Sequence, residues 1–158
     1  MHSTPETALQ SLGKDDYEKL AHFRYQLRRF LRFSEEATHR HGITVLQYLL
    51  MLQIKGFPGR DWATVGELAE RLQAQPHGVV SLVTRCESAG LVRRNASNHD
   101  KRRVEVRLTP RGERCLEKLA LQHRSELLSL EGFSAIPGLQ SDLLASTPNV
   151  PGGNTHGS

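Results

Sequence analysis

Thr64–Gly112 reads TVGELAERLQAQPHGVVSLVTRCESAGLVRRNASNHDKRRVEVRLTPRG, and the order of elements in it decides the fold. Thr64 followed by Glu67 has capping-box spacing and opens a helix whose inner face is Val65, Leu68, Ala69 and Leu72. Pro76 then stands where a first helical residue belongs, because its missing N–H costs nothing there. Val79, Leu82, Val83 and Cys86 recur at i, i+3, i+4 and i+7 and point inward, and Gly90 suits a left-handed C-terminal cap. Leu91-Val92-Arg93 reads as a short strand. Val104, Val106 and Leu108 alternate with Glu105 and Arg107 as a half-buried return strand does. Asn95–Arg103 is the polar, basic tip between them. The predicted class is mainly α with a small β-hairpin wing: a winged helix-turn-helix with flanking helices.

Outward from this stretch the chain is helical. Residues 1–14 are polar and expected to be flexible. Over 15–42, Tyr17, Leu20, Phe23, Leu27, Phe30 and Ala37 form one stripe of a helix that extends ~36 Å, longer than a small core needs. The excess points to pairing with a second chain. Thr44 and Gln47 form another capping box before a nearly all-apolar helix, Val45 to Ile54, which Phe57-Pro58-Gly59-Arg60 breaks. Thr109-Pro110 opens a last helix whose stripe runs Cys115, Leu116, Leu119, Ala120, Leu127, Leu128 and Leu130. The predicted division is 15–42 and 110–131 as dimerisation helices, 43–109 as the DNA-binding region, and 132–158 as a weakly structured tail with a helical turn or two at Leu139–Ala145.

The 158 residues carry a net charge of +4, unevenly: +1 over 1–84, +5 over 85–114 and −2 over 115–158. The positive charge sits on the helix end and wing, the electrostatic footprint of a polyanion partner. The longest apolar run, VLQYLLMLQI, is too short to span a bilayer, and the N-terminus lacks the basic and apolar regions of a secretory signal. Cys86 and Cys115 make neither a disulfide framework nor a zinc finger. A cytoplasmic protein without a membrane partner is expected. No phosphate-binding glycine loop, nucleophile elbow or HExxH motif is present, so no enzyme activity and no cofactor are expected.

A recognition helix buries one face on its supporting helix and shows the other to the major groove. The outward face here is His77, Gly78, Val80, Ser81, Thr84 and Arg85, with Gln75 and Pro76 at its start. Gln75, His77 and Ser81 exchange hydrogen bonds with base edges in this reading, Gly78 permits close approach, Val80 meets a thymine methyl, and Arg85 takes a guanine or a phosphate. Arg94, His99, Lys101, Arg102 and Arg103 give the wing the long cations that reach phosphates or enter a narrow minor groove. Asp100 is the wrong charge for that and is assigned to the wing's scaffold. The bland alternative for both surfaces is a solvated polar face.

The run Leu68-Ala69-Glu70-Arg71-Leu72, Pro76, Val79, Leu82-Val83, Arg85, Glu87, Gly90-Leu91-Val92, Arg94, Asp100, Arg102, Val106, Leu108-Thr109 and Gly112 resembles the MarR (multiple antibiotic resistance regulator) family of winged-helix repressors, over about residues 16–131. The resemblance implies a homodimer on a pseudo-palindromic double-stranded DNA operator, with Arg102 as the minor-groove arginine and Asp100 paired to a basic residue. It also implies a small aromatic or phenolic effector between the dimerisation helices and the DNA-binding lobe. Phe33, His39, Arg40, His41, Tyr48 and Trp62 are the candidates to line that cleft, with ordinary packing as the alternative for each. Gln75, His77 and Gly78 depart from the family's small hydroxyl residues at these positions, so no base preference carries over. Little after residue 131 resembles the family's last dimerisation helix. Alternatives within the same fold are a redox switch at Cys115, beside Arg111 and Arg114, with Cys86 inward, or a metal sensor using His39 and His41. A winged-helix module that binds another protein is the rival of a different class.

Overall fold

The computed structural model describes residues 11–97, 99–100 and 102–130. The elements are α1 (Lys14–Arg40), α2 (Val45–Lys55), β1 (Trp62–Ala63), α3 (Val65–Leu72), α4 (Pro76–Ser88), β2 (Val92–Ala96), β3 (Val104–Leu108) and α5 (Pro110–Ser129). The helix starts follow the capping chemistry. Thr44 and Thr64 each accept from the backbone N–H three residues on, and the Gln47 and Glu67 side chains return to the cap backbone. Thr109 accepts from Gly112 N–H with Pro110 at the first position. Gly90 ends α4 at φ +74°, and Leu91 N–H reaches back to Cys86 O at 2.9 Å.

The sheet has the order β1-β3-β2, antiparallel throughout. The wing pairs Val92 with Leu108 and, at its far end, Ala96 with Val104, so β2 runs three residues beyond the predicted Leu91–Arg93 strand. β1 was not predicted. Its two residues pair Trp62 with Arg107 and Ala63 with Val106, a register that only the tertiary fold creates.

The core is α2, enclosed by the other elements: Leu50, Met51 and Ile54 are fully buried with Leu68, Val79, Val83, Cys86, Val92, Val106 and Leu119. The predicted inward face of α4 (Val79, Leu82, Val83, Cys86) is buried throughout. The α1 stripe divides. Ala37 is buried and Phe30 and Phe33 pack on His123 of α5, whereas Tyr17 and Leu20, nearer the N-terminus, are more than half exposed. The start of α1 runs past the core of its own chain. Among the described residues no helix is long and apolar enough to cross a membrane. The predicted tail, 132–158, and its Leu139–Ala145 turns lie outside the described residues, as do residues 1–10 of the predicted flexible N-terminus.

Candidate nucleic-acid interface

Helix α4 presents Pro76, His77, Gly78, Val80, Ser81, Thr84 and Arg85 on its exposed side, with Gln75 as an exposed N-cap whose side chain makes no capping bond. Gly78 has open space around the position a Cβ would take, so the backbone there is approachable. Ser81 and Thr84 donate back to His77 O and Val80 O, one turn earlier. The Arg85 side chain makes no hydrogen bond or ion pair among the described residues.

The wing tip is built by its own backbone. Ser97 N–H meets Arg103 O at 2.9 Å, Ser97 Oγ accepts from the N–H groups of His99 and Asp100, and Arg103 N–H meets Asp100 O. Asp100 Oδ1 accepts from Arg102 N–H at 2.9 Å. The Asp100 carboxylate therefore braces the turn through the backbone, and no basic side chain pairs with it among the described residues. His99 and Arg102 are exposed there. Lys101, expected to reach a phosphate, lies outside the described residues.

Two predicted phosphate-contacting arginines have other partners. Arg94 lies against α4: Nη1 donates to Glu87 Oε1 at 3.0 Å, and Nη2 donates to Thr84 Oγ1 at 2.8 Å and Val80 O at 3.2 Å. Its backbone N–H donates to Glu87 Oε2 at 2.9 Å. Arg94 and Thr84, both expected on the DNA face, are thus bound to each other. Arg103 turns toward α3, with Nη2 3.7 Å from Glu67 Oε1 and its guanidinium 4.9 Å from the centre of the Trp62 ring. Trp62 also carries Arg60 at 3.8 Å, and Arg60 bonds Glu67 and lies 4.1 Å from the centre of the Phe57 ring. Partial burial pushes the Glu67 carboxyl up, but the Thr64 N–H and Arg60 outweigh it and hold the group below its ordinary value.

The six residues assigned to an effector cleft do not gather. Phe33 and Tyr48 meet around His123, which sequence reasoning passed over. His123 stacks on Tyr48 at 4.3 Å, meets Phe33 edge-on at 5.5 Å, and bonds Leu119 O through Nδ1 and Ser34 Oγ through Nε2. Trp62 belongs to the arginine stack instead. His39 and Arg40 are exposed at the end of α1, and His41 Nδ1 is bonded to Ala37 O. No cluster of three metal-ligand side chains occurs among the described residues. At Cys115, the cysteine of the redox alternative, burial raises the pKa against the pull of Arg111 and Lys118, and burial pushes the Cys86 thiol to about 11.

His123 supplies a pH-dependent test of the fold. Burial holds its pKa below the ordinary 6.5, despite the Leu119 hydrogen bond. The unfolded chain therefore takes up a proton at a higher pH than the folded one. Stability from this group is full above about pH 6.5 and falls as the pH drops below it, until the folded imidazole also protonates. Between about pH 7.5 and about pH 5.5, His123→Gln is expected to lose less thermal stability than the wild type does. Parallel losses in the two proteins would remove His123 from that role.

The MarR family model matches residues 41–103, which run from the end of α1 to the wing tip. The HTH-type transcriptional regulator YhbI of Bacillus subtilis is 36% identical over 81 residues, 51% of each protein, so the chain spans about half the length of this curated relative. Among solved structures, a MarR family protein from Bacillus stearothermophilus superposes with a TM-score of 0.65 at 24% identity, over 85% of this chain and 90% of that one. AbsC, a MarR family transcriptional regulator from Streptomyces coelicolor, does so with a TM-score of 0.62 at 22% identity, over 75% and 79%. A mutant of S. aureus MepR, bound to an oligodeoxyribonucleotide, gives 0.60 at 20% identity, over 82% and 90%. Residues 41–103 match the MarR family model, and the chain has the overall winged helix-turn-helix fold of these solved structures.

Proposed function

We propose that the chain is a sequence-specific DNA-binding transcriptional regulator that acts as a homodimer on a pseudo-palindromic operator with half-sites ~10 bp apart. The observation that carries this reading is the exposed face of α4, with His77, Gly78, Ser81 and Arg85, next to a braced hairpin whose tip shows Arg102. In this reading α4 enters the major groove and the wing lies along the backbone and minor groove. Repression follows from a dimer that occupies a promoter. Its release by a small aromatic effector rests on the family resemblance alone, because the predicted cleft residues are dispersed. The division of labour, with residues 43–109 on DNA and residues 15–42 and 110–131 in the dimer, is part of the same proposal.

The side chain of Arg102 makes no hydrogen bond or ion pair among the described residues, so its removal reports on DNA directly. Arg102→Ala is expected to weaken binding to all duplexes alike and to lower the slope of log K against log salt by about one for each phosphate that the arginine neutralises. Titration of a fluorescent duplex across a salt series reads both quantities. An unchanged slope and affinity would favour a winged-helix module that binds protein instead.

A further inference from the structure

We propose that Glu87 and Arg94 form a latch that sets the wing against the recognition helix, making them positioning residues for base readout rather than DNA contacts. The inference rests on the function proposed above and assigns work inside it.

Glu87 is in the last turn of α4, where the helix carbonyls carry partial negative charge and an acid is electrostatically misplaced. It is also an acid on a helix proposed to face phosphates. Both effects are unfavourable, so some other interaction must account for it. One carboxylate oxygen takes the Arg94 backbone N–H, which fixes the main chain of β2, and the other takes the guanidinium. The same guanidinium spans one turn of α4 through Val80 O and Thr84 Oγ1, beside the exposed Ser81. A simple surface ion pair has one contact and contributes little to stability. Here four hydrogen bonds tie a strand of the wing to α4 between Val80 and Glu87, and the Arg94 side chain is 28% exposed. Such an arrangement fixes orientation, and orientation is what a reader of two adjacent grooves requires. Arg103 holds the opposite side of the hairpin to α3 through Glu67 and to β1 through Trp62.

Glu87→Gln separates this role from bulk electrostatics because the two predict opposite signs. Removing an acid near DNA strengthens binding to every duplex if charge alone matters. Loosening the latch weakens the preferred duplex by about tenfold and leaves a scrambled one unchanged or tighter. The probes are a duplex carrying the sequence that the wild-type protein enriches from random DNA, and its scrambled counterpart. Arg94→Ala is expected to lower the same ratio without changing the salt slope. Equal strengthening of both duplexes by Glu87→Gln, or a slope reduced by about one in Arg94→Ala, would overturn the latch. If the wild type prefers no sequence, the DNA-reading proposal fails instead. The latch is then judged in the free protein by a thermal double-mutant cycle with Glu87→Gln and Arg94→Ala. Coupled effects would support it and additive ones would refute it.

Discussion

Gly112→Ala is expected to lower the thermal midpoint by more than about 10 °C, a loss of about 3 kcal/mol. A Cβ on Gly112 would sit 2.0 Å from Leu91 O and 3.0 Å from its carbonyl carbon, and both are backbone atoms. They cannot swing away as the end of a side chain does. The backbone there is held from both sides, because Thr109 N–H donates to Leu91 O, Thr109 Oγ1 donates to Gly90 O, and Gly112 N–H donates to Thr109 Oγ1. This crossing joins the end of the wing to α5 and the end of α4 to β2, so relieving the clash displaces the winged helix-turn-helix half against α5. Gly78→Ala is the matched control. Its Cβ meets open space within a helix, so it is expected to raise stability by up to about 1 kcal/mol through helix propensity. Calorimetry on the two variants measures the contrast. Equal midpoints would show that the Gly112 contact is not rigid.

Tyr17→Asp with Leu20→Asp is expected to produce a monomer and to weaken operator binding by at least about 100-fold, as two half-sites cease to be held by one particle. Both residues are exposed, at 57% and 55%, on one face of the first turns of α1, and neither belongs to the core of its own chain. Leu31 continues the face at 50%, and Leu121 of the neighbouring α5 is 54% exposed. This exposed apolar face is where the proposed dimer would associate. Analytical ultracentrifugation gives the mass, and a melt confirms that the single-chain fold survives. A dimer that persists with full operator affinity would place the subunit contact elsewhere.

What could be read from sequence was local. The capping pairs Thr44/Gln47 and Thr64/Glu67, Pro76, Gly90 and Thr109-Pro110 mark helix ends through contacts within a few residues, and the structure has helices that begin and end there. The inward face of α4 followed from its period. What was missed depends on partners distant in the chain. β1 exists only because Trp62 and Ala63 meet β3, more than forty residues on. Arg94 reads as one more wing cation until β2 is laid against α4 and Glu87 comes within reach. Asp100 was assigned to the wing's scaffold with a basic side chain as its partner, and in the structure its carboxylate serves the turn's backbone instead. His123 had a signal that went unused. It falls four residues after Leu119 and four before Leu127 on the apolar stripe of α5, and its buried ring fills that slot because Ser34 and Leu119 O satisfy both nitrogens. The dispersal of the six effector candidates has the same origin: aromatic character in sequence does not reveal whether a ring meets a cavity, another ring or an arginine.

The proposal that this chain reads DNA sequence as a dimer is tested most directly by passing the full-length protein over sheared DNA from its source organism at near-physiological salt and sequencing what is retained. An enriched inverted repeat with half-sites ~10 bp apart is expected, the spacing two recognition helices reach on one side of a duplex. Retention without any common sequence, or no retention at all, would contradict it.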